Sequence, residues 1–88
     1  MQMTTKEIEI QLALGTLLLS TKRELARDSN TPRKILEILS TDSAWGVRYC
    51  LSKNPNVPIK ILGILGGDSD EMIRHNAQQT LKKVLNDY

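Results

Sequence analysis

The chain has 88 residues, room for one domain with a small core, since a chain this short buries only about 60–65% of the surface its unfolded form exposes. Its apolar content is aliphatic, with no Phe, one Trp and two Tyr, and a net charge of +2 from 12 basic and 10 acidic side chains is too balanced to imply nucleic acid or membrane by itself. A single cysteine excludes an internal disulfide and a cysteine-cluster metal site, and neither a membrane span nor a signal-peptide pattern is present, so the reducing cytoplasm is the expected compartment.

Residues 5–27 read as helix, with a kink or break expected near Gly15 or at Ser20-Thr21, where Thr21 and Glu24 have capping-box spacing. Thr31-Pro32 starts a short helix: Thr is a good N-cap, and Pro fits the first helical position, where its missing N–H is not needed. That helix carries Ile35, Leu36 and Leu39 at the spacing of one buried face and ends at Ser40-Thr41. Asp42 opens the next helix, which stops at Asn54-Pro55 because the residue before a proline is pushed out of the helical region. Pro58 starts another short helix, with Asn56 as the expected cap because Val57 has no side-chain acceptor. It carries Ile61, Leu62 and Leu65 and is ended by Gly66-Gly67. Asp68, with Glu71 at capping-box spacing, opens the last helix. Over residues 69–86 it sets Ile73, Ala77, Thr80, Leu81, Val84 and Leu85 on one face.

The short helices look alike because the chain repeats. Residues 25–50 lie on residues 51–76 without a gap, and identical pairs include Asn30/Asn56, Pro32/Pro58, Ile35/Ile61, Leu36/Leu62, Leu39/Leu65, Asp42/Asp68 and Arg48/Arg74. A fixed period in this range marks units that bury their apolar faces only against their neighbours. The expected fold is all-α: a short right-handed α-solenoid of about three 26-residue units within a single domain, 1–88. The units are a degenerate capping unit at 6–31, a repeat at 32–57 and a repeat that also caps the C-terminal end at 58–83, with longer helices closing both ends.

Asn54-Pro55-Asn56-Val57-Pro58, Ile61-Leu62, Leu65, Asp68 and Ile73-Arg74, with the preceding copy Asp28, Asn30-Thr31-Pro32, Ile35-Leu36, Leu39, Asp42 and Val47-Arg48, resemble the leucine-rich repeat variant (LRV) family. The resemblance covers residues 25–77. It implies a right-handed superhelix of paired short helices, one of which can be a 3₁₀ helix, related in style to HEAT and armadillo scaffolds. The period of 26 is longer than this family's usual repeat. One described member carries an iron–sulfur cluster, which Cys50 alone cannot hold.

The recurring charges read as structural. Asp42 and Asp68 cap helices, and Arg48 and Arg74 reach a carboxylate or carbonyls at a unit boundary. Cys50 and His75 are the one nucleophile and base pair on offer, but no orienting group or oxyanion pocket accompanies them. No enzyme activity, cofactor or metal is therefore expected. Position 45 differs in kind: it holds Trp45 in one unit and Glu71 in the next, so it faces water, and Tyr49 and Lys53 follow on the same helical face. Equivalent positions supply Leu19, Arg23 and Arg27 on one side and Glu71, His75 and Gln79 on the other. An aromatic ridge then stands between a basic and a weakly acidic column, unless Trp45 instead covers the first helix or fills a gap beside Gly46.

Trp, Tyr and Arg dominate interface hot spots. The expected function is a non-catalytic module binding another protein through Arg23, Arg27, Trp45, Tyr49, Lys53 and His75, with homo-oligomers through an end helix compatible with it. The alternative is nucleic acid, whose phosphates would meet Arg23, Arg27 and Lys53 while Trp45 and Tyr49 stack on bases. Residues 22–60 are basic, which suits that alternative, and the acidic C-terminal third opposes it.

Overall fold

Thr4 and Glu7 cap the first helix reciprocally: the Glu7 backbone N–H donates to the Thr4 hydroxyl, and the Thr4 N–H donates to the Glu7 carboxylate, both at 3.1 Å. The structure, a computed structural model, describes residues 3–86, and among these it is all-helical with no strand. The helices are α1 (Thr5–Leu14), α2 (Leu19–Arg27), α3 (Arg33–Leu39), α4 (Trp45–Ser52), α5 (Ile59–Leu65) and α6 (Glu71–Asn86).

The break in residues 5–27 falls at the first of the two expected places. Gly15 takes φ 73°, the left-handed conformation that a residue without Cβ enters freely, and ends α1 there. The chain's N-terminal end is thus two helices of 10 and 9 residues rather than one long one, while α6, with 16, is the long helix expected at the other end. Thr21 and Glu24 form no capping box, since α2 has already begun after Leu18 and has no side-chain cap.

Other local bonds also differ from the expected caps. The Thr31 hydroxyl does not cap α3 but donates to the Leu25 carbonyl at 2.6 Å, and Pro32 itself holds the N-cap position. Pro58 does the same for α5, so Asn56 caps nothing; its backbone N–H donates to the Asn54 side chain. Asp42 and Asp68 each tie a tight turn before a helix by accepting from the N–H two residues on, Ala44 and Asp70 respectively. The cap of α6 is Asp70, whose carboxylate accepts from the Ile73 N–H at 3.0 Å, not Asp68 with Glu71. These residue types favour such local turns as readily as caps.

The core is the expected aliphatic seam. Ile35, Leu36 and Leu39 of α3, Val47 and Leu51 of α4, Ile61, Leu62 and Leu65 of α5, and Ile73 and Ala77 of α6 are all buried. Leu81 and Val84 pack against this cluster, but Leu85 is exposed. In α1 the core side is carried by Ile8 and Leu12, not by Glu9, Ile10 and Ala13, which stand one period before Ile35, Leu36 and Leu39.

Helix α4 packs on α2, α3, α5 and α6. Polar bonds fix its place: Asn54 Nδ2 donates to the Ala26 carbonyl at 3.0 Å, and Thr80 Oγ1 to the Ser52 carbonyl at 2.7 Å. Both donors and both acceptors are 26 residues apart. Ion pairs recur in the same way. Lys22 Nζ lies 2.9 Å from Asp42, and Arg48 Nε lies 2.9 Å from Asp68. As expected, Arg48 and Arg74 also grip loop carbonyls, those of Asp42 and Asp68 respectively, each at 2.8 Å.

Candidate interaction surface

Trp45 is the first residue of α4, and Tyr49 follows one turn later on the same face. Their rings stack with centroids 4.7 Å apart and planes 27° from parallel. Trp45 remains 44% exposed, while Tyr49 is half-buried against the core cluster and serves as its support. Lys53, another turn on, holds its ammonium 5.5 Å from the Tyr49 ring centroid, within cation–π range. Trp45 is therefore not a core residue.

The neighbouring helix joins this ridge through Gly46. A Cβ built there would stand 2.9 Å from both Nε and a terminal nitrogen of Arg23, so the absence of a side chain lets the guanidinium lie against the α4 backbone beside Trp45. At the other end of the ridge, Arg27, Tyr49, Cys50, Lys53 and the Asn54–Asn56 turn line a groove of about 450 Å³. Among the described residues Arg23, Arg27 and Lys53 make no ion pair, in contrast to Lys22, Lys34 and Arg48.

Across the ridge from the cations stands Asp70. Its carboxyl is held below the usual carboxylate range by the Ile73 backbone N–H and, against the opposing effect of burial, by the Trp45 indole. His75 is exposed on α6 in a separate hollow with Asp70, Glu71 and Met72. Of the six residues expected to form the surface, Arg23, Arg27, Trp45, Tyr49 and Lys53 thus lie along one ridge and groove, and His75 stands apart with acidic neighbours. Cys50 and His75 line different depressions.

Another hollow, of about 430 Å³, is lined by Met3, Ile8, Thr21, Glu24, Leu25 and Asp28 among others, and among the described residues has no aromatic side chain. Among the described residues no three side chains could hold a metal ion, and no helix is long and apolar enough to cross a membrane. No family model, curated protein or solved structure matches the chain.

Proposed function

We propose that the chain is a non-catalytic helical-repeat module that binds another protein through the ridge of Trp45 and Tyr49. The observation that carries this is a half-exposed Trp45 stacked on a half-buried Tyr49. An aromatic side chain held in place before binding loses little freedom on contact, so most of its burial is available as affinity. The flanking Arg23, Arg27 and Lys53 supply a polar rim.

The same proposal takes the fold as a short right-handed α-solenoid of three units, 6–31, 32–57 and 58–83, in the manner of the LRV family. Its support is the recurrence at 26 residues of whole interactions: Asn54 with Ala26 and Thr80 with Ser52, Lys22 with Asp42 and Arg48 with Asp68. Stacked helical units offer extended surfaces used for partners, and a cytoplasmic location belongs with this reading.

The test is capture of partners from native extract by the wild-type chain and by Trp45→Ala, with each band identified and its affinity then measured. The variant should lose tenfold or more in affinity, in line with the ~2 kcal/mol of a central aromatic anchor, while its melting temperature stays put. Unchanged capture would remove the ridge from the function.

Nucleic acid remains the second reading, favoured by three cations that have no carboxylate partner among the described residues and stand beside a stacked aromatic pair. Log affinity for an oligonucleotide would then fall with log salt by about 0.7–0.9 per phosphate contacted. Trp45 fluorescence reads this directly.

A further inference from the structure

Charge is spread unevenly over the ridge. One end has Arg27, in the last turn of α2, and Lys53, which follows the last residue of α4; both line the groove with Tyr49 and the Asn54–Asn56 turn. Cations are favoured at helix C-termini, where the carbonyl ends carry partial negative charge, so the fold itself explains why two are held there. They make no ion pair among the described residues, although Lys22 and Arg48 nearby are both matched to carboxylates. At the other end the Asp70 carboxylate stands at the Trp45 indole, with Arg23 on the opposite side of the ridge over Gly46.

From this arrangement we propose that the groove takes the carboxylates of an acidic, extended segment of a partner protein, whose apolar side chain rests on Trp45. This rests on the reading of the ridge as a protein-binding surface and adds the chemistry and direction of what binds. Charge complementarity selects the ligand. A nucleic-acid strand carries charge at every nucleotide and would set phosphates against Asp70 beside Trp45, whereas a peptide can carry its acids at one end only. A second copy of this chain would set Arg27 and Lys53 on its own Asp70 only in a two-fold pairing, and a mass that rises with concentration in the absence of peptide would overturn the proposal.

Geometry fixes the spacing. Trp45 and Lys53 are eight residues apart on a helix, about 12 Å at about 1.5 Å per residue. An extended chain covers that in about four residues at about 3.3 Å each. The motif is therefore an apolar residue with paired acids about four positions away.

The probe is a capped synthetic peptide with one Phe, paired Asp and Glu four residues from it, and Gly and Ser elsewhere. It is titrated into the intact ¹⁵N-labelled chain and followed by amide shifts and Trp45 fluorescence, which Phe does not obscure. Shifts should map to α4 and the turn after it. Affinity should fall about fivefold when the acids become Asn and Gln, as two exposed ion pairs warrant, and by a similar factor when Arg27→Glu or Lys53→Glu meets the acidic peptide. Both side chains are exposed, so circular dichroism should show unchanged folding.

Equal binding of the acidic and amide peptides, shifts confined to other faces, a response to oligo-dT alone, or no response at millimolar peptide would each overturn the proposal. Failure of the groove is separable from failure of the ridge. If Lys53→Glu and Arg27→Glu change nothing while Trp45→Ala still abolishes partner capture, the acidic-segment proposal falls and the ridge stands. If Trp45→Ala leaves both capture and peptide binding intact, the ridge itself falls.

Discussion

Replacing Arg48 by Met should be among the most damaging polar substitutions in this chain. The guanidinium donates from Nε to one Asp68 oxygen at 2.9 Å and from a second nitrogen to the Asp42 carbonyl at 2.8 Å. The side chains of Arg48 and Asp68 are only 15% and 9% exposed. Without Arg48, Asp68 keeps the Asp70 N–H as donor but loses its cationic partner in a largely dry place. Breaking a fully buried pair costs about 3–5 kcal/mol, whereas exposed pairs contribute about 0.2–1 kcal/mol. With both side chains this well covered, the pair stands nearer the first case, at about 2–3 kcal/mol, which for a domain this size lowers Tm by about 10–20 °C. Lys22→Met, at the equivalent position, should cost about 1 kcal/mol, because that pair is a single contact at 2.9 Å with the lysine side chain 19% exposed.

Thermal melts followed by circular dichroism decide the matter. Asp68→Asn added to Arg48→Met should recover more than half of the loss, since it removes the stranded charge and keeps an acceptor for Asp70. An Arg48→Met melt within about 4 °C of wild type, or a larger loss for Lys22→Met, would refute the reasoning.

Leu62→Ala should cost about 2–5 kcal/mol in urea melts, as its side chain is fully buried, while Ile64→Ala two residues on, 52% exposed, should stay within about 0.5 kcal/mol. Gly15→Ala should cost about 1 kcal/mol through backbone strain alone, since a Cβ there meets nothing within 4 Å. Gly46→Ala should leave Tm within a few degrees but displace the Arg23 guanidinium, so that the shift appears in the Arg23 side-chain NMR signals and in partner affinity rather than in the melt. Burial pushes the Asp42 carboxyl upward, but Lys22 and the Ala44 N–H outweigh it and hold the pKa below the ordinary range. Its stabilisation is therefore full above the unfolded value of about 3.9 and is lost as pH falls through the folded one. The Tm gap between wild type and Lys22→Met should accordingly narrow in acid, and a constant gap would contradict the pairing.

The apolar pattern of α3 and α5 was legible because one rule governs it: positions that recur at helical spacing and stay aliphatic in both copies face the seam. Trp45, Tyr49 and Lys53 were legible for the converse reason, that Glu71 in the sister position marks the face as wet. The helix caps were not, because Thr31, Asp42 and Asp68 each had two local bonds within reach and spacing does not choose between them. The recurring Asp and Arg stand six residues apart in sequence, yet the ion pair joins Arg48 to the Asp twenty residues on. The shorter spacing serves the Asp42 carbonyl instead. Lys22, which stands one period before Arg48, shares its charge but not its identity, so identical pairs do not reveal it. The groove beside Arg27 and Lys53 is closed by the Asn54–Asn56 turn, whose path no periodicity describes.

The position of α4 among its neighbours has a consequence for how binding would be felt. A helix packed on α2, α3, α5 and α6 can open only when those contacts are given up, so its amides should exchange with solvent close to the rate set by global unfolding, while α1 and the end of α6 fray earlier. The ridge is built on that last segment to let go. A ligand held by Trp45 would therefore slow exchange by the full factor of its occupancy at every amide that opens only by global unfolding, and leave the fraying ends as they are. Hydrogen exchange would register such a partner even at sites far from the ridge, with no change in shape anywhere.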